Sequence, residues 1–449
     1  MAASTREFYL ELYAEHLEEA SFLYEQRGAL LRDAEVSWLA IDEVEKRLEA
    51  HLDALVIGQE LALAICSARA VKGDFGELNA AVCVFCRQRR LDLIEQLWEH
   101  LDLEDKDRML AVRNALALEW PEAWTSEIGR LAETQPQPCL ALLPRVIGFR
   151  RLPAAPYLIH ALPNCPEESL YPLLWALGRL RSRDSIPMLR KKLSHDNEML
   201  RASAALGLLR MGELPFQQGS TSKDLPDFSR LLQIMLSGTP HDTDLILAGL
   251  KQSEGQAALV YALGVLGDIR AIGPLISLLA EEETAESAAS ALNLITGAEL
   301  YEEVQPPEEI SEDELSDEEL QKYKNGQAPY ASDAEPVRTV ARLAQDPGPW
   351  TQWWHHNAAR FRPGVRYRMG RPFSALGLVA DLCHAKAPFF VRRLSYEELV
   401  VRYGVDIPFE ISMRVKDQVK AIDLLKERVS SRKESWKEGA WYFAGRQIS

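Results

Sequence analysis

Tyr261-Ala-Leu-Gly-Val-Leu-Gly-Asp-Ile-Arg-Ala-Ile-Gly-Pro-Leu-Ile-Ser-Leu-Leu279 reads as helix, stop, helix. Gly267 can adopt the left-handed conformation that ends a helix, because it has no Cβ to clash. Asp268 then offers a carboxylate to the free N–H groups of the next helix. Pro274 falls in the first turns, where a missing donor does least harm. Ile272, Leu275, Ile276 and Leu279 follow at helical spacing.

The stretch is one copy of a repeat. Ala176-Leu177-Gly178-x-Leu180 returns as Ala205-Leu206-Gly207-x-Leu209, then as Ala262-Leu263-Gly264-x-Leu266, and more weakly as Ala291-Leu292-Asn293-x-Ile295. The spacings are 29, 57 and 29 residues, so a degenerate unit is expected near Gln233-Ile234-Met235-Leu236. Ile147-Gly148, Ala115-Leu116 and Ala81-Val82 continue the series towards the N-terminus at looser spacing. Trp175 to Leu193 repeats the helix–stop–helix pattern with Pro187, and Asp196 to Gly207 supplies a partner helix whose Ala202, Ala204 and Ala205 permit close approach. Stacked helix pairs of this kind predict a mainly α fold, an α-solenoid whose groove takes an extended partner.

These units resemble the short HEAT-like repeats of phycobilisome-lyase-type proteins, most clearly over about 170–298 and fading towards 50. The resemblance implies architecture and is nearly silent on activity, since such repeats serve lyases, scaffolds and hydroxylases alike.

The chain has 449 residues, 47% hydrophobic and 26% charged, which is ordinary globular usage. Its formal net charge of −16 argues against whole-surface attraction to nucleic acid or anionic membrane. Residues 301–336 hold 12 acidic and 2 basic residues, whereas 337–449 hold 11 acidic and 20 basic. The expected organisation is an N-terminal helical cap (1–60), HEAT-like repeats (61–300), an acidic linker (301–336) and a small basic α or α+β subdomain (337–449). The acidic segment is expected to dock on the basic end and compete with a partner there. No run of about 18 apolar residues occurs, charged residues interrupt the first 19 positions, and six scattered cysteines do not form a disulfide framework. A cytoplasmic chain is the expectation.

Catalytic patterns are missing from the sequence. Cys83-Val-Phe-Cys86 has no second pair of the kind structural zinc needs, and it lies in an apolar helical pattern that predicts buried thiols. His16 with Glu15 or Glu19 has helical ligand spacing but no third ligand; a packed histidine explains it better. His355-His356 and Cys383-His384 make poor sites alone. No Gly-rich phosphate loop, GxSxG or HExxH occurs. Neither cofactor nor metal is expected, and a non-enzymatic chain is favoured, with an enzyme left open.

Near the C-terminus, Trp350-Thr-Gln-Trp-Trp-His-His356 is aromatic-dense. Val365, Tyr367 and Met369 then alternate with Arg366 and Arg368 at strand period, before a Gly-Arg-Pro turn. Arginine and tryptophan dominate binding hot spots, so Trp353, Trp354, Arg366, Arg368 and Arg371 are the candidate partner-binding residues. Ser395-x-x-Glu398 is expected to cap a helix, and Val415, Val419, Ile422, Leu425 and Val429 to line one face of the last.

The start His16-Leu-Glu-Glu-Ala, the segment Arg47-Leu-Glu-Ala-His-Leu-Asp, the central repeats and the Trp353-Trp354…Phe361-x-Pro-Gly-x-Arg-x-Arg-x-Gly-x-Pro end together are similar to a proteobacterial family of uncharacterised HEAT-like proteins. Its members are often encoded beside type VI secretion spike and PAAR-tip components. The resemblance implies an adaptor or chaperone-like role in effector or tip loading, with a protein partner. The alternatives are an immunity protein that binds a toxin, and a nucleic-acid binder using the basic end.

Overall fold

In a computed structural model, the chain is mainly helical with a few short strands. The structure describes residues 5–33, 36–217, 227–250, 257–304, 321–322 and 339–449. Most of the expected acidic linker lies outside these, and with it the expected docking of that segment. The chain forms two compact units, one of Met1–Asp242 with Phe373–Ser449 and one of Thr243–Pro372. The segment 337–449, expected as one subdomain, is thus divided between them.

In the first unit, helices Phe75–Arg87, Lys106–Glu119, Pro136–Arg150, Glu167–Leu180, Glu198–Arg210 and Phe228–Ser237 each pack on the next. Short helices between them, such as Ala155–Ala161 and Ile186–Lys192, pack beside their longer neighbours. The glycine of the Ala-Leu-Gly string is what lets backbones cross. A Cβ on Gly178 would lie 2.7 Å from the Cα of Gly207, and one on Gly148 would lie 2.4 Å from the Trp175 ring. Leu142, Leu143, Leu173, Leu174 and Leu208 are fully buried between these helices, each worth about 1.5–3 kcal/mol of burial.

The C-terminal part of this unit comprises helices Ala375–Cys383, Phe389–Tyr403 and Val415–Ser430. They share a core with Trp38 and Ile41. Of the apolar face expected on the last helix, Val415, Ile422, Leu425 and Val429 are buried, whereas Val419 is exposed and Gln418 is buried in its place. The Gln418 amide donates to the Ile411 and Met413 carbonyls, and its oxygen accepts from Arg392. Ser395 does not cap a helix. It sits inside Phe389–Tyr403, which begins at a proline-preceded turn, and its hydroxyl donates to Asp381.

In the second unit, Ala257–Leu266 packs against Ala285–Thr296, with Ile272–Leu278 alongside. Gly267 has φ +71° and Asp268 accepts from the Arg270 N–H, so the Gly-Asp turn forms as its chemistry requires. Tyr301–Val304, expected as the start of the linker, is instead a strand antiparallel to Val340–Leu343. Tyr367–Arg368 pairs with Arg371–Pro372 in a second hairpin. Its turn is Met369-Gly370, both at positive φ, rather than Gly-Arg-Pro.

Candidate functional site

The last carbonyls of a helix have no partner within it, and a cation placed there is doubly favourable. This chain meets that need with arginines from far along the sequence. In the second unit, Arg366 Nε donates to the Leu266 carbonyl at 2.9 Å and Nη2 to that of Val265 at 2.8 Å. Arg366 is 0% exposed and Arg368 4%, so neither guanidinium presents to a partner. Trp353 and Trp354 are half-buried against Phe361, whose ring packs in turn at a tilt against Tyr367. Arg371 is exposed. The hairpin therefore brings the five candidate residues into one neighbourhood, but two of them serve the fold.

The first unit uses the same device more densely. Arg402 Nη2 donates to the Met235 carbonyl at 2.8 Å, at the end of Phe228–Ser237, while its Nε donates to Glu398 at 3.1 Å. One helical turn earlier, Glu397 reaches two repeat helices at once. Its Oε1 accepts from Arg179 Nη1 at 2.5 Å and its Oε2 from Arg210 Nη1 at 2.6 Å. Arg179 Nε lies 2.7 Å from Glu410 Oε1. Burial would raise the Glu397 carboxyl, but the two guanidinium groups hold it down at about 2. Arg179 and Arg210 are pushed the other way from the penalty of burial, chiefly by Glu397, and stay charged.

At the edge of this network the protein leaves an open pocket of about 360 Å³, lined by Arg151, Leu152, Pro153, Ala155, Arg179, Leu180, Asp406 and Pro408. Arg151 follows helix Pro136–Arg150 in the left-handed conformation, at φ +55°. The next repeat helix, Glu167–Leu180, likewise ends on an arginine in this conformation, Arg181 at φ +51°, whereas helix ends further along carry Gly212, Gly267 and Gly297, which take positive φ without strain. Arg151 Nη2 donates to the Tyr396 hydroxyl at 3.1 Å and lies 3.7 Å from Asp406 Oδ1. That carboxylate oxygen already accepts from Arg210 at 3.1 Å and lies 3.0 Å from the Tyr396 hydroxyl. Arg151 Nη1 is buried and has no hydrogen-bond partner. Burial pulls the Arg151 guanidinium below its ordinary range, partly opposed by Tyr396 and Asp406. Beside the pocket, Arg145 lies 4.4 Å over the Trp175 ring, its charge also disfavoured by burial.

Sequence reasoning did not single out Arg151, Arg179 or Glu397. The available signal was the arginines Arg151 and Arg181 at helix ends where the last repeats place glycine, together with the carboxylate pair Glu397-Glu398 next to Leu399-Val400-Val401.

His16 meets His51 rather than Glu15 or Glu19, Nδ1 to Nδ1 at 3.0 Å, so one ring donates and the other accepts. Burial, then His16, lowers His51. Cys83 and Cys86 are buried on Phe75–Arg87, and burial pushes the Cys83 thiol up to about 12. His356 Nδ1 bonds its own helix at the Gln352 carbonyl. Among the described residues, no group of three His, Cys, Asp or Glu is arranged to hold a metal ion, and no single helix is long and apolar enough to cross a membrane. No protein-family model, curated protein or solved structure matches the chain.

Proposed function

We propose that the chain is a non-enzymatic, protein-binding adaptor built as an α-solenoid of HEAT-like helix pairs. Following the sequence resemblance, we place its work in the cytoplasm, in loading an effector or tip component for type VI secretion. One observation carries most of the reading: within the row of packed helices, where Pro136–Arg150 and Glu167–Leu180 end, lies an open pocket lined by Arg151, whose guanidinium keeps one buried nitrogen without a hydrogen-bond partner. Ion networks elsewhere in the first unit join helices to one another, as Arg27 with Glu45 and Arg87 with Glu49 and Glu119 do. At the pocket such a network retains a guanidinium nitrogen without a hydrogen bond. A scaffold that grips a partner has reason to keep positive charge under-compensated beside a pocket, because a charge-assisted bond made only on binding contributes to affinity.

Affinity capture with the full chain from its native host, quantified by mass spectrometry, tests this. The expected result is a small set of proteins recovered in near-stoichiometric amount. A chain that elutes alone from native extracts contradicts the adaptor reading.

A further inference from the structure

We propose that the Arg151 pocket is a carboxylate-binding site that takes an acidic side chain of a peptide segment with aliphatic neighbours. The inference rests on the adaptor reading for its peptide source, and on the pocket alone for its chemistry.

Four guanidinium groups, Arg145, Arg151, Arg179 and Arg210, face three carboxylates, Glu397, Glu410 and Asp406, so the cluster is one negative charge short. The shortfall is not spread evenly. Arg179 and Arg210 each make two short ion pairs. Arg145 rests on an aromatic face. Arg151 keeps one buried donor unused and stands 3.7 Å from a carboxylate that two other groups already occupy. A buried donor without a partner is destabilising, and a non-glycine residue in the left-handed region adds strain. Both fall on Arg151, a residue that lines the pocket.

The lining also decides what kind of anion fits. Leu152, Pro153, Ala155, Leu180 and Pro408 make up most of the rest of the wall, which suits a short aliphatic stem beside the charged groups. Asp406 is part of the same wall. A doubly charged phosphate brought against it meets like-charge repulsion, whereas a single carboxylate can replace the missing charge and stop there. A planar carboxylate also matches the planar fork of a guanidinium, and Arg151 and Arg179 both line this wall.

The test uses the full chain and isothermal titration with acetyl-Leu-Glu-Leu-amide, acetyl-Leu-Gln-Leu-amide, propionate and inorganic phosphate at one ionic strength. The glutamate tripeptide is expected to bind about tenfold or more tightly than the glutamine one, and more tightly than propionate or phosphate. Arg151→Gln should remove that preference. Ala155→Phe should weaken the glutamate tripeptide by occluding the pocket while leaving the guanidinium in place. Equal binding of the two tripeptides, tighter binding of phosphate, or binding indifferent to both variants would each overturn the proposal. Propionate binding as well as the glutamate tripeptide would overturn the peptide source. If the tripeptide binds as expected while native capture recovers nothing, the adaptor reading falls and the carboxylate site stands. If capture succeeds and the tripeptide does not bind, the reverse holds.

Discussion

Glu397 and Arg210 lie 187 residues apart in the chain and 2.6 Å apart in space, joined inside the first unit by an ion pair whose two side chains are both buried. With Arg179 on its other oxygen, Glu397 joins the segment Phe373–Ser449 to the repeat helices of the same unit. Removing one partner of such a group leaves buried charge uncompensated, at a cost of about 3–5 kcal/mol. Glu397→Gln should therefore lower chemical-denaturation stability at pH 7 by about that much, whereas the exposed Glu434→Gln should change it by less than about 0.5 kcal/mol.

The same residue sets a pH dependence. Its carboxyl is held at about 2 when folded and near 4.3 when unfolded. The stability it contributes is therefore fully present above about pH 4.5 and is lost as pH falls towards 2. At about 1.36 kcal/mol per unit, that is a contribution on the order of 3 kcal/mol. Denaturation measured from pH 6 to 2 should show a shallower decline for Glu397→Gln than for wild type. Parallel curves would show that Glu397 does not titrate as described.

Helix crossing in the repeats depends on the absence of a side chain. Gly178→Ala places a Cβ 2.7 Å from the Cα of Gly207, and should cost about 1–3 kcal/mol. Gly129→Ala, in helix Ile128–Thr134 with nothing within 4 Å of the new atom, should be neutral or stabilising by about 0.5–1 kcal/mol. Thermal melts should show a lowered midpoint for Gly178→Ala and an unchanged or raised one for Gly129→Ala.

Much of this was legible in the residues, and the limit has a physical cause. The Ala-Leu-Gly repeat, the Gly267-Asp268 turn and the thiols of Cys83 and Cys86 are local facts, encoded in spacing and in one residue's conformational freedom. The hairpin at Tyr367 was legible for the same reason. The use of Arg366 was not, because the carbonyls it receives lie 100 residues earlier. Ser395-x-x-Glu398 looked like a helix start because spacing does not distinguish a cap from two buried polar residues paired with Asp381 and Arg402. Arg151 gave the weakest local signal of all, because Arg181 ends the next repeat helix in the same way, and its meaning depends on Tyr396 and Asp406 about 250 residues later.

The buried thiols predict a labelling order. Cys66, Cys83, Cys86 and Cys139 are buried, with burial pushing Cys66, Cys83 and Cys139 up to about 12, whereas Cys383 is exposed. A maleimide at neutral pH should modify Cys383 in the native chain and reach Cys83 and Cys86 only on unfolding. Native-state modification of Cys83 ahead of Cys383 would contradict the packing of helix Phe75–Arg87.

Arg366 and Arg371 separate fold from surface in the second unit. Arg366→Met removes the donors to the Val265 and Leu266 carbonyls and should cost about 2–4 kcal/mol. Arg371→Met, on the exposed strand, should stay within about 0.5 kcal/mol. If partner capture falls with Arg371→Met and with Trp353→Ala while stability holds, the solvent-facing part of that hairpin neighbourhood also contributes to binding.

The central claim is that a partner is gripped at the Arg151 pocket, and hydrogen exchange on the full chain with and without its captured partner tests it most directly. The account predicts slowed exchange at 151–155, 179–180 and 406–407 on binding. Protection confined to other segments, with those amides exchanging as in the free chain, would contradict it.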